Sequence, residues 1–368
     1  MSEFGPEQPE HPQDLSAVNP AAYRQHALDE IQELDPELLT NPQTRQLVEM
    51  SVDSGIEITE TYGTPEHPKL VSGNYETDIV TPYHSGGEDG HTSFGPLGSG
   101  VPRNVLKLSN AINEAAGEEI VEPVDRATGL YAGSKHDSIL LHGRALMPEG
   151  QGHDRGDERL SAERARDDLL QEGSDPEIAT TAHDQVLATA YDPETHAQNV
   201  QYGPLIEDPA NSRLIKNVLG QEIITGADLL NPTSRRAALG SIEHTVESMC
   251  LSREDKVLNQ RLEQLGIDIA SLGSIEDILT IIGDDEVLRQ KFIEQCSGEA
   301  SFFRDHIKYS DTVIRQVTGG KGIDDLSPGR EDNATIMDRF VEELHQGRHP
   351  VHIWKEARRI AGYEDPER

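Results

Sequence analysis

The stretch PRNVLKLSNAINEAAG, residues 102–117, decides the fold class of this chain. Its apolar residues recur at the three- and four-residue spacing of a single helix face, and a glycine follows where such a helix would end. The apolar positions are Val105, Leu108, Ala111, Ile112 and Ala115, and the closing glycine is Gly117. The pattern predicts an amphipathic helix that begins near Pro102.

Helical patterns of the same kind extend outward in both directions. Upstream, helices are predicted from Ala21 and from Asn41-Pro42, and downstream from Ser161 to Gly173 and from Asp175-Pro176. Further helices are predicted over residues 212–230, 235–265, 275–282, 286–296, 301–318, 333–345 and 350–361.

Few features of the sequence favour β-strands over helices. Aromatic residues make up 4% of the chain, and alternating β-branched runs are missing. Residues 63–100 are rich in Gly and Pro, which excludes regular structure over much of that stretch, and residues 127–145 are only moderately apolar. The sequence therefore predicts an all-α fold.

The helical segments suggest one main domain between two short tails. Residues 1–20 are rich in Pro, Glu and Gln, and we expect them to be disordered. The main domain is predicted to span residues 21–345, and residues 346–368 would form a C-terminal helix and tail.

Net charge and composition exclude several classes of function. The 368 residues include 32 Lys and Arg and 67 Asp and Glu, a formal charge of −35, so nucleic acid and anionic membranes are poor partners.

No apolar run has the length of a transmembrane helix, and the first 15 residues lack the features of a signal peptide. Two cysteines cannot form a disulfide framework, so a cytoplasmic location is expected. We interpret the acidity as a solubility device or an adaptation to high salt.

Histidine and aspartate carry the remaining chemical signal. Three His-Asp doublets occur, at 136–137, 153–154 and 183–184, and chance alone gives some in so acidic a chain. The first doublet lies in LYAGSKHDSILLH, residues 130–142, which is preceded by Pro82-Tyr-His84 and His91. It is followed by DERLSAERA, residues 157–165, by VLATA, residues 186–190, and by IITGADLL, residues 223–230.

This ordered set resembles the HD-domain superfamily of metal-dependent phosphohydrolases, and in particular its single-metal members. The signature of that superfamily is a His, then a His-Asp doublet, then a distant Asp. The resemblance covers roughly residues 75–232, with looser similarity through residues 327–333, and it leaves residues 233–345 as a C-terminal helical extension. It implies an HD-like helical bundle that holds one divalent cation among Mn, Fe, Co, Ni, Zn and Mg.

The resemblance also implies a set of ligands, namely His91, His136, Asp137 and Asp228. His84 is an alternative to His91, because SFGPLGSG, residues 93–100, separates His91 from the helix that the family normally begins directly after this His. The alternative for His136 and Asp137 is a surface pair. Asp228 lies among apolar residues, where a carboxylate is costly unless it binds a metal, forms a salt bridge or caps a helix.

Other residues receive roles around this site. Asp157 and Glu158 match the acidic pair of the family and would orient ligands or transfer protons, although a helix N-terminal role is an alternative. Lys135 occupies a position that is usually apolar, so it either contacts a substrate phosphate, with a catalytic role, or faces solvent. Arg144 is a second candidate for phosphate binding. His142 and His183 would line the same cavity, or would be packed or exposed histidines without a role in it.

The function implied is hydrolysis of a small phosphorylated molecule, possibly a nucleotide, by a metal-activated water. An anionic substrate must approach a strongly acidic chain, so local positive charge is required. Residues 301–368 are close to neutral, with 11 Lys and Arg against 13 Asp and Glu, and they offer Arg304, Lys308, Lys321 and Arg330. The alternative is a catalytically inactive helical binding or scaffold protein of the same fold.

Overall fold

The computed structural model describes residues 20–62, 101–136, 156–188, 191–192, 197–198, 219–224, 242, 245–246, 257–267, 275–326 and 333–360. Its first six helices are α1 (Pro20–Leu34), α2 (Pro42–Tyr62), α3 (Val101–Ala116), α4 (Pro123–Lys135), α5 (Gly156–Gln171) and α6 (Pro176–Ala188). Six more follow, namely α7 (Val257–Leu265), α8 (Ile275–Asp284), α9 (Glu286–Val317), α10 (Ile323–Leu326), α11 (Asn333–His345) and α12 (Pro350–Ile360).

The all-α prediction is confirmed. Among the described residues, extended pairing is confined to β1 (Tyr191–Asp192) and β2 (Ala197–Gln198), which pair antiparallel over two residues each. A short 3-10 helix, Pro36–Leu39, connects α1 to α2. The predictions for residues 1–19 and 63–100 lie outside the described residues, as do those for most of residues 212–256.

Helix α3 confirms the amphipathic helix that was predicted to begin near Pro102. It runs from Val101 to Ala116, and Val105, Leu108 and Ile112 of its apolar face are buried. Gly117 adopts a positive φ of 73° directly after the helix, a conformation in which glycine has no steric penalty.

Side-chain caps begin two further helices where the sequence predicted them. The Asn41 carboxamide oxygen accepts from the backbone N–H of Gln43 at 2.9 Å, at the start of α2. The Asp175 carboxylate accepts from the backbone N–H of Glu177 at 2.8 Å, at the start of α6. Each cap is followed by a proline at the first helical position, which needs no hydrogen-bond partner for its nitrogen.

One predicted break between two helices is wrong. Residues 286–296 and 301–318 were predicted as separate helices, but α9 continues through both for 32 residues. Cys296, just before the expected break, and Ala300, its last residue, are both buried, so tertiary packing holds the intervening Ser297 and Gly298 in the helix.

The buried apolar residues form two clusters. The first gathers α1 to α6 and residues 219–224, together with Val313, Ile314 and Ile323. The second gathers α8, α11 and α12 with Ile242, Val246, Leu262 and the first half of α9, from Leu288 to Ala300. Helix α9 therefore contributes to both clusters.

None of the helices that the structure describes is long and apolar enough to span a membrane.

Candidate metal centre

Helix α4 leads to the candidate metal centre and is surrounded by other helices. It packs against α2, α3 and α6, and every residue from 126 to 136 is buried. The sequence analysis identified no helix here, because many of these residues are Ala, Gly, Ser and Thr rather than large apolar ones. Small residues permit close helix approach, and an ideal Cβ on Gly133 would lie 3.4 Å from the backbone of Pro102 in α3.

His136 directly follows α4 in a helical backbone conformation, with φ −57° and ψ −37°. Its side chain is 3% exposed, and its Nδ1 lies 2.8 Å from the carbonyl oxygen of Gly133. Because a carbonyl only accepts hydrogen bonds, Nδ1 carries the proton and the lone pair of the neutral ring is on Nε2. A carbonyl that accepts from the other ring nitrogen is the usual outer support of a metal-binding His. The surface-pair alternative for His136 is wrong, because the ring is buried.

Lys135 is buried beside His136 and paired with a carboxylate. Its Nζ lies 2.9 Å from Asp168 Oδ2 of α5 and 5.7 Å from the ring centre of Tyr131. The alternative that Lys135 faces solvent is therefore wrong. The sequence could not show this arrangement, because Asp168 is 33 residues away in the chain.

Tyr131 and Arg164 complete the surroundings of this ion pair. The Tyr131 hydroxyl donates to the carbonyl oxygen of Ala165 at 3.1 Å, and Arg164 approaches Asp168 at 3.7 Å and Glu57 of α2 at 3.0 Å. Burial raises the pKa of the Tyr131 hydroxyl well above its usual range, and the negative charge of Asp168 raises it further. Tyr131 therefore acts here as a hydrogen-bond donor that links α4 to α5.

The acidic pair at 157–158 lies inside a helix rather than before one. The sequence placed the start of this helix at Ser161, but α5 begins at Gly156, so Asp157 and Glu158 belong to its first turn. Two acidic residues in a first turn interact favourably with the helix dipole, which agrees with the helix N-terminal alternative. The orientation of the two side chains lies outside what the structure describes.

Most of the predicted ligands also lie outside the described residues. These ligands are His91 or its alternative His84, Asp137 and Asp228. Two other candidate site residues, Arg144 and His142, lie outside the described residues as well. Within the described parts of the chain, no group of three or more His, Cys, Asp or Glu side chains is close enough to hold a metal ion. Of the predicted ligand set, the structure describes His136 alone.

The third His-Asp doublet differs from the first. His183 lies on α6 and is partly exposed, and its Nδ1 lies 3.0 Å from the carboxylate of its own neighbour Asp184. Its Nδ1 is thus held by an adjacent carboxylate, whereas that of His136 is held by a backbone carbonyl inside the bundle.

The basic residues after position 300 are only partly described. Arg304 pairs with Asp338 of α11, and Lys321 is exposed. The side chain of Lys308 and the whole of Arg330 lie outside the description.

Several buried charged residues, among them Arg126 and Glu222, were not predicted from the sequence. Arg126 of α4 lies between Asp35, Glu119 and Glu37, with nitrogen–oxygen distances of 2.6, 3.0 and 3.2 Å. Glu222 is fully buried and accepts from the Ser310 hydroxyl of α9 at 2.6 Å. The signal for Glu222 was present, because it lies beside Ile223 and Ile224, the same apolar run that drew attention to Asp228.

Comparison of the chain with models of protein families, with curated proteins and with solved structures finds no match.

Proposed function

We propose that this chain is a metal-dependent phosphohydrolase that acts on a small phosphorylated molecule, with His91, His136, Asp137 and Asp228 as the ligands of one divalent cation. The observation that supports the proposal most directly is the state of His136. The ring is buried at the end of the central helix α4, and its Nδ1 donates to the carbonyl oxygen of Gly133, so the neutral ring has the tautomer in which Nε2 is the metal-binding nitrogen.

The protein groups have separate tasks in this proposal. When bound, the cation would supply a water of lowered pKa and polarise a phosphoryl oxygen. Asp157 and Glu158 would orient that water and accept its proton, and Arg144 would bind the substrate phosphate. Lys135 receives a positioning role, because its ammonium is already held by Asp168 and fixes the end of α4 next to His136.

Metal analysis of His136→Asn and His183→Asn variants tests the proposal. The Asn side-chain amide mimics Nδ1, so the first variant keeps a donor for the Gly133 carbonyl and removes only the ligand nitrogen. We expect the wild-type chain to bind about one divalent ion per chain, His136→Asn to lose it, and His183→Asn to retain it. Circular dichroism would confirm that both variants are folded.

Turnover provides the second readout. Phosphate monoesters and nucleotides would be assayed with Mn, Co or Mg, and we expect His136→Asn and Asp137→Ala to lose at least about 100-fold in kcat/KM, and His183→Asn to lose little. Full turnover and unchanged metal content in His136→Asn would contradict the proposal. A wild-type chain that binds no divalent ion and hydrolyses no phosphate ester would instead favour the helical binding or scaffold protein.

A further inference from the structure

A small cavity lies at the other end of α4, where this helix meets α3, α6 and residues 219–223. Its volume is about 10 Å³, close to the space that a single water molecule occupies. Apolar side chains form part of its wall, and three polar residues line it as well, Ser109 of α3, Asp125 of α4 and Gln185 of α6.

Two of these polar side chains are buried without a hydrogen-bond partner in the described structure. Ser109 is 1% exposed and Gln185 is 2% exposed, and neither Ser109 Oγ nor Gln185 Oε1 is hydrogen-bonded to any described residue. A buried polar atom without a partner costs about 1–3 kcal/mol, so such atoms in native proteins are nearly always satisfied. The helical position of Ser109 makes the observation more informative, because a serine in a helix can bond to the carbonyl four residues before it, and this one does not.

Glycines on two neighbouring segments leave room for the Gln185 amide. An ideal Cβ on Gly220 would overlap this amide, and one on Gly129 would lie 4.0 Å from Gln185 Oε1 and 3.1 Å from Val105. Gly129 lies inside α4, where glycine is less favourable than alanine by about 1 kcal/mol. The packing thus accommodates a polar side chain whose oxygen lies on the cavity wall next to Gly129.

We propose that this cavity is a binding site for one structural water molecule that bridges Ser109 and Gln185. The water donates one hydrogen to Gln185 Oε1 and accepts from the Ser109 hydroxyl. Its second hydrogen points toward the side of the cavity that Asp125 lines. With two or three partners the water has the coordination that buried waters usually have, and both buried polar atoms are satisfied. The site links α3, α4 and α6, and it does not depend on the metal centre proposed above.

A high-resolution crystal structure of the full chain tests this site directly. We expect one ordered water within about 2.7–3.2 Å of both Ser109 Oγ and Gln185 Oε1. A cavity without ordered density, or a protein donor bonded directly to Gln185 Oε1, would overturn the proposal.

Nuclear magnetic resonance provides an independent test in solution. The side-chain amide of Gln185 should show cross-relaxation with a long-lived water, with opposite sign in the laboratory and rotating frames. The exposed amide of Gln290, which bonds to Glu294 at 3.1 Å, is the internal control and should show no long-lived water. Gln185→Met removes the resonance and assigns it, and Ser109→Ala should abolish the water signal while the Gln185 amide remains. Persistence of the signal in Ser109→Ala would contradict the bridge.

Discussion

Arg126 shows at the scale of one residue how distant segments are joined by a buried charge. Its guanidinium is 4% exposed, and besides three carboxylates it donates to the carbonyl oxygen of Val121 at 2.7 Å. Burial alone lowers the pKa of Arg126, but the hydrogen bonds that its guanidinium donates to Asp35 and Glu119 outweigh this effect and raise the pKa. The side chain thus stays charged and ties α4 to the α1–α2 connection.

Replacing Arg126 by Met should destabilise the protein by about 3 kcal/mol, because Asp35 would keep a buried charge without its partner. Urea denaturation measures the free energy of unfolding. Arg45→Met is the matched control, because Arg45 and Glu49 form an exposed pair on α2 worth less than about 0.5 kcal/mol. Equal losses in the two variants would show that the burial of Arg126 has no energetic consequence.

Glu30 on α1 is a buried carboxyl group whose ionisation opposes folding. Burial raises the pKa of Glu30 above 4.5, although Arg103 of α3, with which it forms an ion pair, acts in the opposite direction. Since the folded protein holds this proton more tightly than the unfolded chain, the contribution of Glu30 to stability falls as the pH rises from 4.5 through the raised pKa.

A glutamine at position 30 does not ionise, so the Glu30→Gln variant should not lose stability in this way as the pH rises. Between about pH 4 and about pH 7 its free energy of unfolding should rise relative to wild type, as measured by urea denaturation at several pH values. Glu33→Gln, an exposed change on the same helix, is the control. A difference between Glu30→Gln and wild type that does not vary with pH would contradict the interpretation.

At the scale of elements, α9 connects the two buried clusters. Its N-cap is Asp285, whose carboxylate accepts from the backbone N–H groups of Val287 and Leu288 at 3.0 and 3.1 Å. Its first half contributes Phe292 to the second cluster, and its last turns contribute Val313 to the first. Because the helix is continuous, we expect a local break in it to destabilise the packing of both clusters.

A Ser301→Pro change should break α9 between Ala300 of the second cluster and Val313 of the first, and cost about 3 kcal/mol or more. Trp354, the one tryptophan of the chain, packs in the second cluster, so its fluorescence reports on that cluster. In wild type, urea transitions followed by Trp354 fluorescence and by far-ultraviolet circular dichroism should coincide. In the variant they should separate, whereas coincident transitions would show that the clusters are not coupled through α9.

Charge dominates at the scale of the whole molecule. A formal charge of −35 on 368 residues gives strong self-repulsion, and the partners of many cations are already fixed within the fold, as in the pairs of Arg126 and Lys135. Repulsion between exposed charges is screened by salt, whereas buried pairs are screened much less. Salt should therefore relieve the repulsion without breaking these pairs.

Raising NaCl from about 0.05 M to about 1 M should increase the Tm. Thermal melts followed by circular dichroism measure the change, and sucrose solutions provide a control for effects that do not depend on charge. A Tm that falls with added NaCl would show that salt bridges outweigh the net repulsion.

The sequence alone determined the helical class and several helix ends, because those depend on local features. The periodic face of α3, the caps at Asn41 and Asp175 and the stop at Gly117 each act within a few residues. The motif around His136 also marked it as a candidate ligand, and that role stays a prediction. Tertiary structure decided which residues became the interior. Helix α4 is buried despite its small and polar residues, and α9 runs through a predicted break, because packing outweighs local propensity. The partners of Arg126 and Lys135 lie up to 91 residues away, and the pattern around a residue carries no information about a contact that only folding creates.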